Sequence, residues 1–247
     1  MNDRIQAHIR PRVSRRAAPV RLRLRLWTAS ALLGLAAFLA TPHAATAQDA
    51  TPSAEALARS LQTRYADVRD FSADFTHTYE GGLLRKKTTE RGSVLIKKPG
   101  RMRWTYTSPE QKLFVSDGRK IYAYVPADKQ VTVGAMPSDD RASSPMLFLL
   151  GKGNLAEDFT VSHAERLPGQ PADSYALKLV PRTRVPEYEW LTLVVSRDGL
   201  KLQALVAKDA QTGTSMFTFT NLKENVGLSD DRFTFTIPRG ADVITQK

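Results

Sequence analysis

Residues 92–126 constrain the fold of this chain more than any other segment. They read GSVLIKKPGRMRWTYTSPEQKLFVSDGRKIYAYVP, a series of short segments separated by turn residues. Met102, Trp104 and Tyr106 alternate with polar residues, which is the period of a β-strand with one apolar face. The segment therefore predicts strands that carry unusually large apolar side chains, dense basic charge and few groups suited to catalysis.

Further strands are predicted at turn-separated intervals. The Asp117-Gly118 pair predicts a tight hairpin, and Arg197-Asp198-Gly199 predicts a second turn. The remaining predicted strands cover residues 175–180, 187–196, 200–207, 215–220 and 232–236. Helices do not alternate with these strands, so we expect an antiparallel sheet. Many sequential strands in one such sheet curl toward a barrel, and neither a domain boundary nor an internal repeat is visible.

Two helices are predicted outside the strands. Thr51 and Pro52 offer an N-cap and a first helical residue, after which Leu57, Leu61, Tyr65 and Val68 form one apolar stripe. Residues 143–151, SSPMLFLLG, have an N-cap, an early proline, a terminal glycine and an entirely apolar interior. A helix that is apolar on every side must be buried or must cover an apolar surface. It fits an ordinary core helix or a lid over a cavity equally well.

The first 47 residues have the features of a cleaved signal peptide. Eight arginines precede an apolar run at residues 26–39, and small residues follow up to Ala45-Thr46-Ala47. The run is shorter than the ~20 residues that a membrane span needs. We expect cleavage after Ala47, leaving residues 48–247 as one exported domain. Because the chain has no cysteine, we also expect neither disulfides nor a lipid anchor at Gln48.

The net charge of +11 comes mostly from this leader. Residues 48–247 carry 28 basic and 24 acidic residues, a net charge of +4, so composition does not favour a nucleic-acid partner. The remaining basic residues are concentrated around Lys97, Lys98, Arg101 and Arg103. Such a cluster fits either a solvated strand face or a surface for an acidic partner or lipid headgroups.

Few residues are suited to catalysis. His77 and His163 are isolated in the sequence, whereas a zinc site needs three or four clustered ligands. No nucleophile elbow, Walker A loop or dinucleotide fingerprint is present, and Asp117 and Asp198 are interpreted as turn residues. We therefore expect a protein that is not an enzyme and holds neither metal nor cofactor. An esterase stays a remote alternative, because catalytic triads are defined by geometry and not by order along the chain.

The strand segments also carry a specific combination of residues. From residue 92 the pattern is G-x-x-x-I-K-[KR]-P-x-x-[FM]-x-W, followed by a proline and then V-S-D-G-x-x-[IL]-[WY]-x-Y. The matching residues are Gly92, Ile96, Lys97, Lys98, Pro99, Met102, Trp104, Pro109, Val115, Ser116, Asp117, Gly118, Ile121, Tyr122 and Tyr124. Further matches are residues 71–75, 144–147, 197–199 and 233–235, with Pro238, Gly240 and Val243. In this combination the chain resembles the LolA family of periplasmic outer-membrane lipoprotein carriers.

The resemblance implies a mainly β, single-domain, incomplete (open) antiparallel β-barrel covered by short α-helices around an apolar cavity. It implies a periplasmic, monomeric carrier that takes the acyl chains of lipoproteins from an inner-membrane ABC transporter (LolCDE-like) and passes them to an outer-membrane receptor (LolB-like). The missing acylation cysteine favours the soluble carrier over the receptor. A lipid- or lipoprotein-sensing regulator, or a paralogue on the same fold, is the alternative.

Two groups of site residues follow from the resemblance. The predicted cavity or lid residues, each of which could equally be plain core, are Met102, Trp104, Tyr106, Met146, Phe148, Leu149, Trp190, Phe217 and Phe219. The predicted lid latch or docking rim consists of Lys97, Lys98, Arg101 and Arg103.

In the family's commoner form an arginine precedes the proline and is associated with hydrogen bonds that hold the lid shut. Lys98 stands there in this chain, with three donors on a point charge instead of a planar fork of five. Either the closed state is held less firmly, or Arg101 takes over.

Overall fold

The computed structural model describes residues 51–81, 86–136, 151, 153–210 and 212–246. These ranges contain two α-helices, α1 (Ala54–Ala66) and α2 (Leu155–Asp158), and two 3-10 helices at Pro126–Asp128 and Asp230–Phe233. The strands are β1 (Asp70–Gly81), β2 (Lys86–Lys97), β3 (Arg101–Ser108), β4 (Lys112–Asp117), β5 (Lys120–Val125), β6 (Gln130–Ala135), β7 (Phe159–His163), β8 (Ser174–Pro181), β9 (Trp190–Ser196), β10 (Leu202–Lys208), β11 (Thr214–Glu224) and β12 (Asp242–Thr245). No helix in the described ranges is long and apolar enough to cross a membrane.

The twelve described strands form one sheet in the order β12-β6-β5-β4-β3-β2-β1-β11-β10-β9-β8-β7. Strands β7 and β12 lie at its two edges, so the sheet is open, as the predicted incomplete barrel requires. Ten of the eleven neighbouring pairs are antiparallel. The expectation of a purely antiparallel sheet is wrong at the edge, where β12 runs parallel to β6. The chain crosses the sheet between β11 and β12, so β12 does not form a hairpin with the strand before it.

Ring contacts across several strands show that the sheet curls. Trp104 on β3 and Phe217 on β11 are three strand spacings apart in the sheet order. In a flat sheet that separation is roughly 14 Å, at ~4.8 Å per spacing. Their ring centroids are nevertheless 5.3 Å apart. We call the face that carries these two rings the inner face and the opposite one the outer face.

Helix α1 lies against part of the inner face. Its stripe of Leu57, Leu61 and Tyr65, with Val68 beyond its last turn, is buried in one core cluster with inner-face residues of β1, β3, β9 and β10. The predicted stripe is therefore confirmed. The predicted start at Thr51 is wrong, because Ser53 is the N-cap and its hydroxyl oxygen accepts from the backbone N–H of Ala56 at 3.2 Å.

The hairpin prediction is confirmed, and the last predicted strand is wrong. Asp117 Oδ1 accepts from the backbone N–H groups of Arg119 and Lys120, both at 2.8 Å, and this closes the turn between β4 and β5. Residues 232–236 do not pair as a strand. Their alternating Phe and Thr residues instead follow the 3-10 helix, where Thr234 N–H donates to the Asp231 carbonyl oxygen at 3.3 Å.

The segment from Asp230 to Phe235 packs on the outer face. Phe233 is 1% exposed, and Phe235 lies 5.4 Å from the ring of Tyr122 on β5. The two phenylalanines of the Phe-Thr alternation therefore pack on strands β3 to β5, although their segment does not pair as a strand. The predicted strand at 187–196 begins later, at Trp190. The predicted lid at residues 143–151 lies outside the described residues except for Gly151.

Candidate functional site

Six aromatic residues from four strands converge on the inner face. We call them the aromatic cluster: Phe75, Trp104, Tyr106, Phe114, Phe217 and Phe219. Phe75 lies at its centre, with its ring centroid 5.0 Å from Trp104 and 4.8 Å from Tyr106, both edge to face. Edge-to-face packing brings the positive rim of one ring to the negative face of another. The cluster is therefore a large, polarizable apolar surface assembled by the curl of the sheet.

Gly92 makes room for this cluster. It lies on β2 beside an irregularity in the pairing with β3. A Cβ atom at this position would collide with the carbonyl oxygen of Thr105 and lie 2.9 Å from Cζ of Phe75. A larger residue would therefore displace the central ring of the cluster, which gives a physical reason for glycine at the start of the motif.

One polar atom inside the aromatic cluster has no hydrogen-bond partner. The side chain of Trp104 is 1% exposed, and its Nε1–H meets no acceptor. A buried donor without an acceptor is uncommon and destabilising, and it asks for an explanation. The aromatic cluster therefore contains a buried N–H donor that no acceptor among the described residues uses.

A polar group borders the aromatic cluster. We call it the His77 group: His77, Glu90, Lys112 and Ser215, from β1, β2, β4 and β11. His77 Nδ1 lies 3.1 Å from Glu90 Oε2, and Nε2 lies 3.3 Å from Ser215 Oγ. Lys112 Nζ donates to Glu90 Oε1 at 2.5 Å. The His77 ring also stacks on Phe217, so the polar group and the aromatic cluster are in direct contact.

The surroundings of these groups shift their protonation. Burial lowers the pKa of His77 below its ordinary value of 6.5 and outweighs Glu90, which acts in the opposite direction. Burial alone would raise the pKa of Glu90, but hydrogen bonds and charge from Lys112 and His77 hold it below its ordinary value. Burial, together with the Glu90 charge, raises the pKa of Tyr106. At neutral pH the group thus contains a neutral imidazole beside a Glu–Lys ion pair.

His77, which is isolated in the sequence, has polar partners in the fold. Its partners are 13 and 138 residues away in sequence. The alternation from Phe75 to His77 could have placed it on the inner face. Only the pairing of β1 with β2 and β11 brings Glu90 and Ser215 beside it. His163 is separate and exposed, with Nε2 3.0 Å from the Pro52 carbonyl oxygen.

Ser215, His77 and Glu90 form a chain of hydrogen bonds like that of the nucleophile, base and acid in a catalytic triad. Acyl transfer also needs hydrogen-bond donors, from the backbone or from side chains, aimed at the developing oxyanion. The backbone of Ser215 is paired with Tyr79 on one side and Ala207 on the other, which commits its amide to the sheet. Among the described residues, no three His, Asp or Glu side chains are grouped to hold a metal ion.

The predicted cavity residues divide by position. Met102, Trp104, Tyr106 and Phe219 are buried on the inner face, and Phe217 is partly buried beside them. Trp190 is on the outer face of β9, opposite the buried Leu191, and Lys178 Nζ lies 5.1 Å from its ring centroid. The structure therefore does not bring Trp190 to the aromatic cluster. Met146, Phe148 and Leu149 lie outside the described residues.

Three of the four predicted latch or rim residues contact the C-terminal segment on the outer face. Lys97 Nζ donates to the Leu228 carbonyl oxygen and to Asp230 Oδ1, both at 2.6 Å. Arg101 Nη2 lies 3.3 Å from Asp230 Oδ2. Arg103 Nη1 donates to the carbonyl oxygens of Arg232 and Thr234 at 3.4 and 3.3 Å. These three side chains attach residues 228–234 to strands β2 and β3.

Lys98 is placed differently. Its Nζ donates to the Tyr65 carbonyl oxygen in the last turn of α1, where a positive charge is favourable to the helix dipole. Burial lowers its pKa. Its stem lies against Gly151, where an added Cβ would be 3.0 Å from Lys98 Cδ. Lys98 therefore lies between the end of α1 and the last residue of the predicted lid segment.

An open barrel with an aromatic interior has the architecture of a protein that binds an apolar ligand. The sequence profile described as outer membrane lipoprotein carrier protein LolA matches residues 66–236. The chain belongs to the LolA family.

Individual relatives support this assignment. The outer-membrane lipoprotein carrier protein of Chromohalobacter salexigens is 33% identical over 217 residues, 87% of this chain and 96% of its own. That of Cupriavidus pinatubonensis is 30% identical over 189 residues, 75% of this chain and 86% of its own. The crystal structure of a LolA superfamily protein from Nitrosomonas europaea covers 75% of this chain and 99% of its own at 15% identity, with a TM-score of 0.40. The sequence relatives, and not this structural likeness, establish the family.

Proposed function

We propose that this protein carries outer-membrane lipoproteins, holding their acyl chains against the aromatic cluster. The observation that carries this proposal is the convergence of six aromatic residues on the inner face of an open sheet, in a chain of the LolA family. The family's carriers are periplasmic, and the leader predicted at residues 1–47 supports the same compartment for this chain. Cleavage of that leader is part of the proposal.

Release must be possible without a nucleotide. Burying an acyl chain gains ~0.8 kcal/mol per CH₂, so three fully buried chains would exceed the practical affinity ceiling of about 20 kcal/mol. A closed state that fills the inner face with the protein's own apolar groups offsets this gain. Cargo then exchanges one set of apolar contacts for another.

Lys98 is suited to stabilise that closed state. It joins the Tyr65 carbonyl of α1 to Gly151, the end of the predicted lid segment. As the only basic member of the predicted latch set that faces α1, it is the residue we assign as the latch. Lys97, Arg101 and Arg103 instead hold the C-terminal segment.

The proposed carrier needs a donor and an acceptor of lipoproteins as partners. Cargo would arrive from an inner-membrane ABC transporter of the LolCDE type and leave to an outer-membrane receptor of the LolB type. The basic side chains of β2 and β3 remain partly exposed beside the C-terminal segment and could meet acidic surfaces on either partner.

The test is isolation of the protein from periplasm followed by mass spectrometry of what copurifies. Acylated proteins are expected, and their absence would refute the carrier function. Phe217→Leu removes a ring from the aromatic cluster and should reduce the recovered lipoprotein severalfold. Phe235→Leu is the matched control, because it removes a ring from the outer face. Equal losses in both variants would place the effect in stability and not in the site.

A further inference from the structure

We propose that the aromatic cluster also contains a subsite for the carbonyl group of an acyl ester or amide, formed by Trp104 Nε1–H and the His77 group. The inference rests on the proposed carrier function and adds a ligand group to it. The protein would recognise the polar joint where an acyl chain meets its lipid head, in addition to the methylene tail.

The first observation is the unpaired indole. Trp104 is 1% exposed, and its Nε1–H has no acceptor. Phenylalanine would fill an apolar interior without this cost, so the donor is out of place in a site for hydrocarbon alone. A ligand carbonyl that enters the cluster would supply the missing acceptor.

The second observation is the position of the His77 group. Phe217 contacts both sides: its centroid is 5.3 Å from Trp104 and 4.1 Å from His77. The indole donor and the polar group are therefore separated by one ring. Lys112 on strand β4 adds the ammonium N–H groups that Glu90 does not use.

The hydrogen bonds within the group select the kind of ligand. Both carboxylate oxygens of Glu90 are already occupied, Oε1 by Lys112 and Oε2 by His77. Because His77 Nδ1–H donates to Glu90, the neutral Nε2 accepts the Ser215 hydroxyl hydrogen, and the donors that remain for a ligand are Trp104 Nε1–H and the other N–H groups of Lys112. The Glu90 charge opposes a free fatty-acid anion. A neutral carbonyl oxygen, from an ester or an amide, therefore fits best.

The test compares two lipids that differ only in their carbonyl groups, a diacylglycerol and the dialkylglycerol diether of the same chain length. We expect the diester to bind about tenfold more tightly, the free-energy equivalent of one net hydrogen bond. Titration calorimetry in the same detergent gives both affinities. Trp104→Phe should reduce the difference to about twofold, with the remainder from the His77 group.

A second measurement uses the unmodified protein, in case Trp104→Phe does not fold. The indole N–H signal of Trp104 in a ¹H–¹⁵N spectrum, assigned with Trp190→Phe, should move downfield with the diester and not with the diether. Equal affinities, or equal signals with both lipids, would overturn the subsite and leave the carrier function intact. Binding of neither lipid would refute the carrier function and the subsite with it.

Discussion

The imidazole of His77 lies flat on the ring of Phe217, with centroids 4.1 Å apart and planes 3° apart. The stack joins the apolar and polar parts of the inner face. It also keeps one face of the imidazole out of water, while Glu90 on β2, Lys112 on β4 and Ser215 on β11 surround its edge. Protonation of His77 would therefore place a charge against an aromatic surface and near the Lys112 ammonium.

Acid should destabilise the fold through His77. Its pKa is lower in the folded protein than the ordinary 6.5, so below that pH the unfolded chain takes up a proton that the folded protein does not. The contribution of His77 to the free energy of unfolding is fully present above pH 6.5 and is lost as the pH falls toward the pKa of His77 in the folded protein. Glu90, also lowered, adds a loss in the same direction at lower pH. Urea unfolding between pH 8 and 5 measures the slope.

His77→Gln should flatten this slope between pH 6.5 and 5. His163→Gln is the control, because His163 lies outside the group and contacts Pro52. A slope that persists in His77→Gln, or disappears in His163→Gln, would contradict the assignment.

Asp70→Ala should lower the free energy of unfolding by about 3 kcal/mol. Asp70 is 6% exposed, and its carboxylate accepts from the backbone N–H groups of Val226, Gly227 and Leu228 at 2.7 to 3.3 Å. The variant leaves those amides without an acceptor at the point where the C-terminal segment begins.

Asp74→Ala, on the same strand, is the matched control for Asp70. Its carboxylate is exposed and accepts from Asn221 Nδ2, so the change should stay within about 0.5 kcal/mol. Denaturant midpoints give both values. Similar losses at the two positions would show that the buried amides are not the cause.

Met102→Glu should unfold the protein and not merely block cargo transfer. Met102 is 2% exposed in the core cluster, and an unpaired carboxylate there costs about 4 kcal/mol or more. Met102→Leu keeps the volume and should cost less than about 1.5 kcal/mol. Circular dichroism with thermal unfolding distinguishes the two. A folded Met102→Glu that retains wild-type stability would show that this position opens to solvent.

Lys98→Met should loosen the closed state. It keeps the stem against Gly151 and removes the donor to the Tyr65 carbonyl. Uptake of a fluorescent acyl probe should become faster, by up to about tenfold for one lost charged hydrogen bond. Lys97→Met is the control, because the neighbouring Nζ binds Leu228 and Asp230 on the outer face. Equal acceleration in both variants, or none in Lys98→Met, would refute the latch.

Much of the inner face could be predicted from local patterns. The alternation of Met102, Trp104 and Tyr106 identified three buried residues, and the Asp117-Gly118 pair identified a hairpin, because both signals depend on neighbours within a few residues. The same logic failed at residues 232–236. There the Phe-Thr alternation is satisfied by packing on the outer face, with Arg103 hydrogen-bonded to the carbonyls that a strand partner would otherwise bind.

Local sequence patterns are enough to identify the type of protein: mainly β, rich in inward aromatic residues, poor in catalytic groups and of the LolA family. Which residues meet in space depends on the tertiary fold. The curl that brings Trp104 to Phe217 and the register that places Glu90 and Ser215 beside His77 are long-range properties. Long-range contacts also separate two residues that are adjacent in the sequence: Lys97 contacts the C-terminal segment on the outer face, and Lys98 contacts α1. Local periodicity specifies the face of a strand but not its distant neighbours, which depend on how the whole sheet closes on its core.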